Sequence, residues 1–242
     1  METLSGVKWF TGKNHAAAGK PYEDRTAMLT NRAALVARAG RGHLFAVMDG
    51  VGDAPRGMNA AQCLADWLKD FYRKPGDHPA TAQGLRQLIM DCNNEINGWG
   101  MIEGTNRPLG AAAFTVAWFS PEELVHIFHA GDTVGMRFDD KEITRLTPQD
   151  VAGRGIVNYL GCGEDMAIHH IPVKLAVGES IVLVSDGIIP KAMRTHDVRD
   201  VLLDEEAVDP EAAARLLAER ARARGSLDDI TAMVIELEAW DE

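Results

Sequence analysis

Four stretches of this 242-residue chain run strand-forming apolar residues straight into, or out of, a carboxylate. They are HLFAVMDG (43–50), LVHIFHAGD (124–132), SIVLVSDGI (180–188) and SLDDITAMVIEL (226–237). A carboxylate placed where a buried strand stops costs free energy unless hydrogen bonds, a cation or solvent compensate its charge. A single Asp-Gly pair reads as an ordinary turn. Four such strand ends constrain the fold more tightly: if they meet in space, their carboxylates repel one another unless multivalent cations sit between them.

The remaining segments decide how such ends are brought together. Strand-like runs fall at about 6–12, 26–38 and 43–48, the middle one interrupted by a turn near Asn31. Helical periodicity follows at about 58–72, with Ala61, Leu64, Ala65 and Leu68 on one face. It recurs at about 80–97, with Leu85, Leu88, Ile89 and Cys92 on one face. Further strand-like runs lie at about 112–119, 124–130, 134–138, 142–146, 167–172 and 180–185, then a helix at about 210–223 and a strand at 230–237. Strands gathered in blocks with hairpin-length gaps, and helices inserted in pairs or singly, predict an α+β fold with antiparallel sheets. About ten strands favour two sheets packed face to face and covered by helices, a four-layer α-β-β-α sandwich. With no linker and no internal repeat, residues 1–242 are expected to form one domain. The segment 147–166 lacks periodicity, contains four glycines and is expected to be a surface flap.

Charge and cysteine usage narrow the function classes. With 25 Lys and Arg against 36 Asp and Glu the net charge is −11, and the basic residues form no stripe. Nucleic acid and anionic membranes are therefore not expected as partners. The first residues carry no basic segment followed by an apolar one, and no run approaches a membrane span, so a soluble cytoplasmic monomer is expected. Cys63, Cys92 and Cys162 show neither zinc-ligand spacing nor a disulfide pattern and read as small apolar residues. His126 with His129, and the pair His169-His170, lack a metal motif. Any metal argument rests on carboxylates.

Taken in order, YEDR (22–25), FAVMDGVGD (45–53), HAGDTVGMRF (129–138), LVSDGI (183–188) and DDIT (228–231) resemble the metal-dependent protein phosphatases of the type 2C (PPM) family, of the bacterial single-domain kind. The resemblance implies two packed antiparallel sheets and a binuclear Mg²⁺ or Mn²⁺ centre at one end. Asp49 would bridge both ions, Glu23 and the Gly50 carbonyl would hold one, and Asp186 and Asp228 the other. Asp132, with Asp186, would help hold a third, weaker ion, and Asp24 would contact a metal-bound water. The activity implied is hydrolysis of phosphoserine and phosphothreonine on protein substrates, opposing a Ser/Thr kinase. Oxygen ligands suit Mg²⁺ and Mn²⁺, and a glycine can expose its carbonyl because no side chain crowds it.

Three departures from the family pattern qualify that expectation. The Arg that commonly precedes the first motif by four residues and contacts substrate phosphate falls at Gly19, leaving Lys20, Lys13 and Arg25 as neighbouring cations. Lys20 and Arg25 are the candidate substrate-binding residues. The His that follows the Asp-Gly pair in many eukaryotic members is Val51, and the usual Gly-Thr-Thr is Gly110-Ala111-Ala112. Two alternatives follow: a catalytically weak metal-binding module that recognises phosphoproteins, or a structural protein whose ions fix strand ends. In the flap, Arg154 and Tyr159 are candidates for contacts with a phosphopeptide.

Overall fold

The computed structural model describes residues 21–153 and 155–240, together with the backbone of residues 2–10. Two five-stranded antiparallel sheets form its centre. In chain order the strands and helices of the first half are β1 (Glu2–Phe10), β2 (Arg25–Leu29), α1 (Ala34–Ala39), β3 (His43–Gly50), α2 (Gly57–Arg73) and α3 (Ala82–Asn97). Then come β4 (Ala112–Phe119), β5 (Val125–Ala130), β6 (Val134–Phe138), β7 (Ile143–Arg145), β8 (Val151–Ala152) and β9 (Gly155–Ile156). The last part holds β10 (His169–Val173), β11 (Ser180–Val184), α4 (Thr195–Leu202), α5 (Pro210–Ala223) and β12 (Ile230–Ala239). One sheet has the order β1-β12-β11-β6-β7 and the other β10-β5-β4-β3-β2.

Residue alternation along the strands builds the layers. In β3, Leu44, Ala46 and Met48 face α2 and α3, while Phe45 and Val47 face the opposite sheet. In β11 and β12, Val182, Val184, Ala232 and Val234 pack against α4 and α5, while Ile181, Leu183, Met233 and Ile235 point inward. This period of two gives a helix layer, two sheets and a second helix layer. Each fully buried Leu, Ile or Phe contributes roughly 1.5–3 kcal/mol. Two of the helices begin on side-chain caps. Thr81 accepts the Gly84 N–H at 3.1 Å ahead of α3, and Asp209 accepts the Ala212 N–H at 2.7 Å ahead of α5, with Pro210 at the first helical position.

Two expectations need correction. The run 26–38 is not strand throughout: β2 stops at Leu29, and residues 34–39 form the short helix α1, in which only Val36 is buried. Its Ala-rich sequence favours helix, and Gly40, at φ 59°, closes it by donating to the Val36 carbonyl at 3.3 Å. The helix α4 was not expected, because its eight residues bury only Val198 and Val201 and so carry little periodic signal. The first strand occupies 2–10, and residues 11 and 12 of the expected run lie outside the described residues.

The segment 147–166 is tied at both ends. Asp150 exchanges backbone and side-chain hydrogen bonds with Gly131, each at 3.0 Å, and Leu160 and Ala112 bond reciprocally at 2.9 and 3.1 Å. Between these ties Val151, Ala152, Gly153, Gly155 and Val157 are exposed around the β8–β9 hairpin. Beyond them Asn93, buried on α3, holds the Gly161 N–H and the Gly163 carbonyl, each at 2.8 Å.

Candidate active site

Strand register gathers the acidic ends. Gly50 pairs with Ala112, Phe114 with Ala130, and Val184 with both Val134 and Ala232. The C-terminal ends of β3, β5 and β11 and the N-terminal ends of β2 and β12 therefore lie at one end of the sandwich. Glu23 stands just before β2, Asp49 near the end of β3, Asp132 on the crossover from β5 to β6, Asp186 just after β11 and Asp228 just before β12. All five, with Gly50, line one cleft of about 630 Å³.

Close backbone approach makes this convergence possible. A Cβ on Gly187 would lie 1.8 Å from the Asp229 carbonyl, so the glycine lets the chain after β11 pass against the start of β12. A Cβ on Gly50 would lie 2.6–2.9 Å from the Gly57–Met58 backbone, so the end of β3 abuts the first turn of α2.

The electrostatics are those of crowded anions. Seven carboxylates line the cleft, those of Glu23, Asp49, Asp53, Asp132, Asp186, Asp228 and Asp229, against Arg107 and Lys191 as the cations among the described residues. Burial, then the charges of Asp24, Asp186, Asp132 and Asp228, push the Asp49 carboxyl well above its usual range. Burial and the Asp186 charge raise Asp132 to about 6. Burial also raises Asp186, with Lys191 opposing and Asp228 reinforcing the shift. The Asp132 Oδ1 is buried without a hydrogen-bond partner. Hard oxygen donors with repelling charges and an orphaned carboxylate oxygen fit divalent cations in their chemistry. Among the described residues no group of three His, Cys, Asp or Glu side chains is itself arranged to hold a metal ion. Lys191 bears on that, because its Nζ contacts both Asp186 Oδ2 and Asp228 Oδ2.

Not every expected residue reaches the cleft. Asp24 is buried behind it, at 1% exposure, where Thr231 Oγ1 donates to its Oδ2 at 2.6 Å. Burial, reinforced by Asp229, lifts its carboxyl to about 7 against the Thr231 hydrogen bond. Arg25 does not reach it either: its guanidinium donates to the Tyr22 and Asp24 carbonyls at 2.8 and 2.7 Å and to Gln62 Oε1 at 3.0 Å. Those three acceptors hold it on the α2 side of β2. Lys20, Gly19 and Lys13 lie outside the described residues, as does Arg154.

Three further residues contribute, of which Arg107 and Lys191 lack a sequence signal of their own. Asp229 accepts the Glu23 N–H at 2.7 Å and so ties the start of β2 to the start of β12. Arg107, from the loop before β4, donates to the Asp53 carbonyl at 2.8 Å and lies 3.1 Å from its carboxylate. Lys191, five residues beyond Asp186, folds back onto two strand ends.

A profile of the protein phosphatase 2C family matches residues 11–232, nearly the whole chain. The chain belongs to the protein phosphatase 2C family. No curated protein matches the sequence. Solved structures of bacterial phosphatases share the fold of this protein phosphatase 2C chain. A bacterial serine phosphatase is 17% identical with a TM-score of 0.79 over 100% of both chains. PppA of Pseudomonas aeruginosa, a key regulatory component of T6SS, is 21% identical with a TM-score of 0.76 over 98% of each. The catalytic domain of the serine threonine protein phosphatase PstP, in complex with two manganese ions, is 20% identical with a TM-score of 0.75, covering 98% of this chain and 99% of that one. Among the described residues no helix is long and apolar enough to cross a membrane.

Proposed function

We propose that this protein phosphatase 2C chain is a divalent-cation-dependent hydrolase of phosphoserine and phosphothreonine in proteins, working as a single domain against the products of a Ser/Thr kinase. The observation that carries the reading is the convergence of Glu23, Asp49, Asp132, Asp186 and Asp228, from both sheets, on one cleft. Glu23, Asp49 and the Gly50 carbonyl would hold one Mn²⁺ or Mg²⁺, Asp49, Asp186 and Asp228 a second, and Asp132 with Asp186 a weaker third. When bound, such ions make water nucleophilic near neutral pH and neutralise charge on phosphoryl oxygens.

The chain's own groups supply the rest. Asp24, behind the cleft with its Oδ2 on Thr231, acts on the centre through its charge, which raises the Asp49 carboxyl. The guanidinium of Arg107 keeps N–H groups free of Asp53 for a phosphate oxygen, the role that Gly19 cannot fill. No histidine lines the cleft among the described residues. Gly155, Ile156 and Tyr159 form the flap side of the cleft and would meet the peptide around the phosphoresidue.

The test is hydrolysis of a phosphothreonine peptide and of para-nitrophenyl phosphate in a Mn²⁺ titration, with a chelator control. Turnover that rises with Mn²⁺ and stops with chelator is expected; chelator-insensitive turnover would sink the reading. The engagement of Asp186 and Asp228 by Lys191 favours a second reading, a phosphoprotein-binding module with little turnover. Its signature is phosphopeptide binding without release of orthophosphate.

A further inference from the structure

The ammonium of Lys191 stands between the two carboxylates assigned above to the second cation. Its Nζ contacts Asp186 Oδ2 and Asp228 Oδ2, and its backbone N–H bonds to the Asp186 carbonyl at 3.3 Å, which fixes where the side chain starts. The other described cation lining the cleft, Arg107, is paired with Asp53. Asp186 and Asp228 each give up one oxygen to Lys191. A divalent ion entering between those two must take oxygens that already accept charge-assisted hydrogen bonds. The two carboxylates flank the ammonium. The side chain is nevertheless 43% exposed, so an exit to solvent is open.

We propose that Lys191 is a built-in competitor for the Asp186–Asp228 seat, so that a divalent cation takes this seat only by evicting the lysine. The proposal rests on the cation-dependent reading above and deepens it. It makes the affinity of that seat depend on a side chain as well as on its ligands. A lone ammonium also offsets less charge than a divalent ion, so eviction exchanges partial neutralisation for full neutralisation.

Calorimetric titration of the full chain with Mn²⁺ provides the test, comparing wild type with Lys191→Met and Lys191→Arg. Wild type should show a weakly bound ion at this seat. Lys191→Met should tighten the weak ion by roughly ten- to a hundredfold, the equivalent of one charge-assisted contact, while Lys191→Arg keeps it weak. Without cation, Lys191→Met should melt below wild type, because two carboxylates lose their counter-charge, and saturating Mn²⁺ should erase the difference. The Lys191→Arg variant retains the charge and checks that position 191 tolerates substitution. Equal affinities in wild type and Lys191→Met, with turnover still Mn²⁺-dependent, would overturn the proposal and leave the phosphatase reading standing. Loss of the second ion in Lys191→Met would overturn it as well. Absence of Mn²⁺ binding in every variant, with chelator-insensitive turnover, would remove the cation-dependent reading and the proposal together.

Discussion

Asp49 sits where β3 runs out, with Asp24 behind it and Asp186, Asp132 and Asp228 across the cleft, and all four charges raise its carboxyl. A carboxyl raised in the folded state is a net cost above its unfolded pKa, so at neutral pH the cation-free protein is strained by it. Asp49→Asn should therefore raise the cation-free melting temperature, abolish the increase that Mn²⁺ gives to wild type, and remove Mn²⁺-dependent hydrolysis. Thermal melts with and without Mn²⁺ check the first two, and near-normal turnover at saturating Mn²⁺ would take Asp49 out of the ligand set. Arg107 is read through kinetics instead. Arg107→Ala should raise KM for a phosphothreonine peptide by roughly one to two powers of ten with a smaller change in kcat, and Arg107→Lys should recover part of it. Unchanged KM would place the phosphate grip elsewhere. The carboxylates were legible in sequence because each follows or precedes its strand directly. Lys191 and Arg107 were not: the first acts through a reversal of the chain after Gly187, the second through a loop closed by Gly100 and Leu109, and neither leaves a local pattern. Asp229 was visible beside Asp228, but its bond to the Glu23 N–H spans the whole sequence.

At the scale of elements, the flap is a short exposed hairpin set on a stiff base. Asn158 donates to Asp150 Oδ2 at 2.6 Å and to the Ala167 carbonyl at 2.8 Å, and accepts the Ala167 N–H at 2.9 Å. Asp150 also meets His169 Nε2 at 2.9 Å and the Gly131 N–H beside Asp132. Asn158→Ala should loosen residues 151–157, speeding proteolytic cleavage there several-fold while costing about 1–3 kcal/mol of global stability. Tyr159→Ala should weaken turnover of a phosphopeptide and spare para-nitrophenyl phosphate, as measured by kcat/KM on each; equal losses on both would show that the flap shapes the cation centre. Long amphipathic helices and alternating strands were legible because periodicity over many residues reports burial. The helices α1 and α4 were not, since one and two buried residues cannot establish a period.

Over the whole molecule, two histidines set a limit on acid stability. His43 and His129 are buried, and desolvation lowers each to about 4. A histidine depressed in the fold contributes stability above its unfolded pKa near 6.5, and that contribution is lost as pH falls toward 4. Each should cost about 2 kcal/mol by pH 5. The raised carboxyls of the cleft act in the opposite direction, gaining protons and relieving repulsion as pH falls. The informative measurement is therefore a difference: urea midpoints of wild type against His43→Gln/His129→Gln, which should converge between pH 7 and pH 5. Parallel midpoints would show that these imidazoles are not held neutral by the fold.

Between the two sheets apolar side chains pack, Phe45 and Val47 from one against Ile181 and Leu183 from the other. Asp49 belongs to the first sheet and Asp186 and Asp228 to the second. An ion shared among them would be a rivet through the sandwich, adding to the Asp229–Glu23 tie in resisting shear between the sheets. Amide hydrogens along the facing strands should exchange more slowly once the rivet is in place, and chelation should release them together. A cell that withholds the ion would then do more than idle the protein: it would shorten its lifetime against proteases.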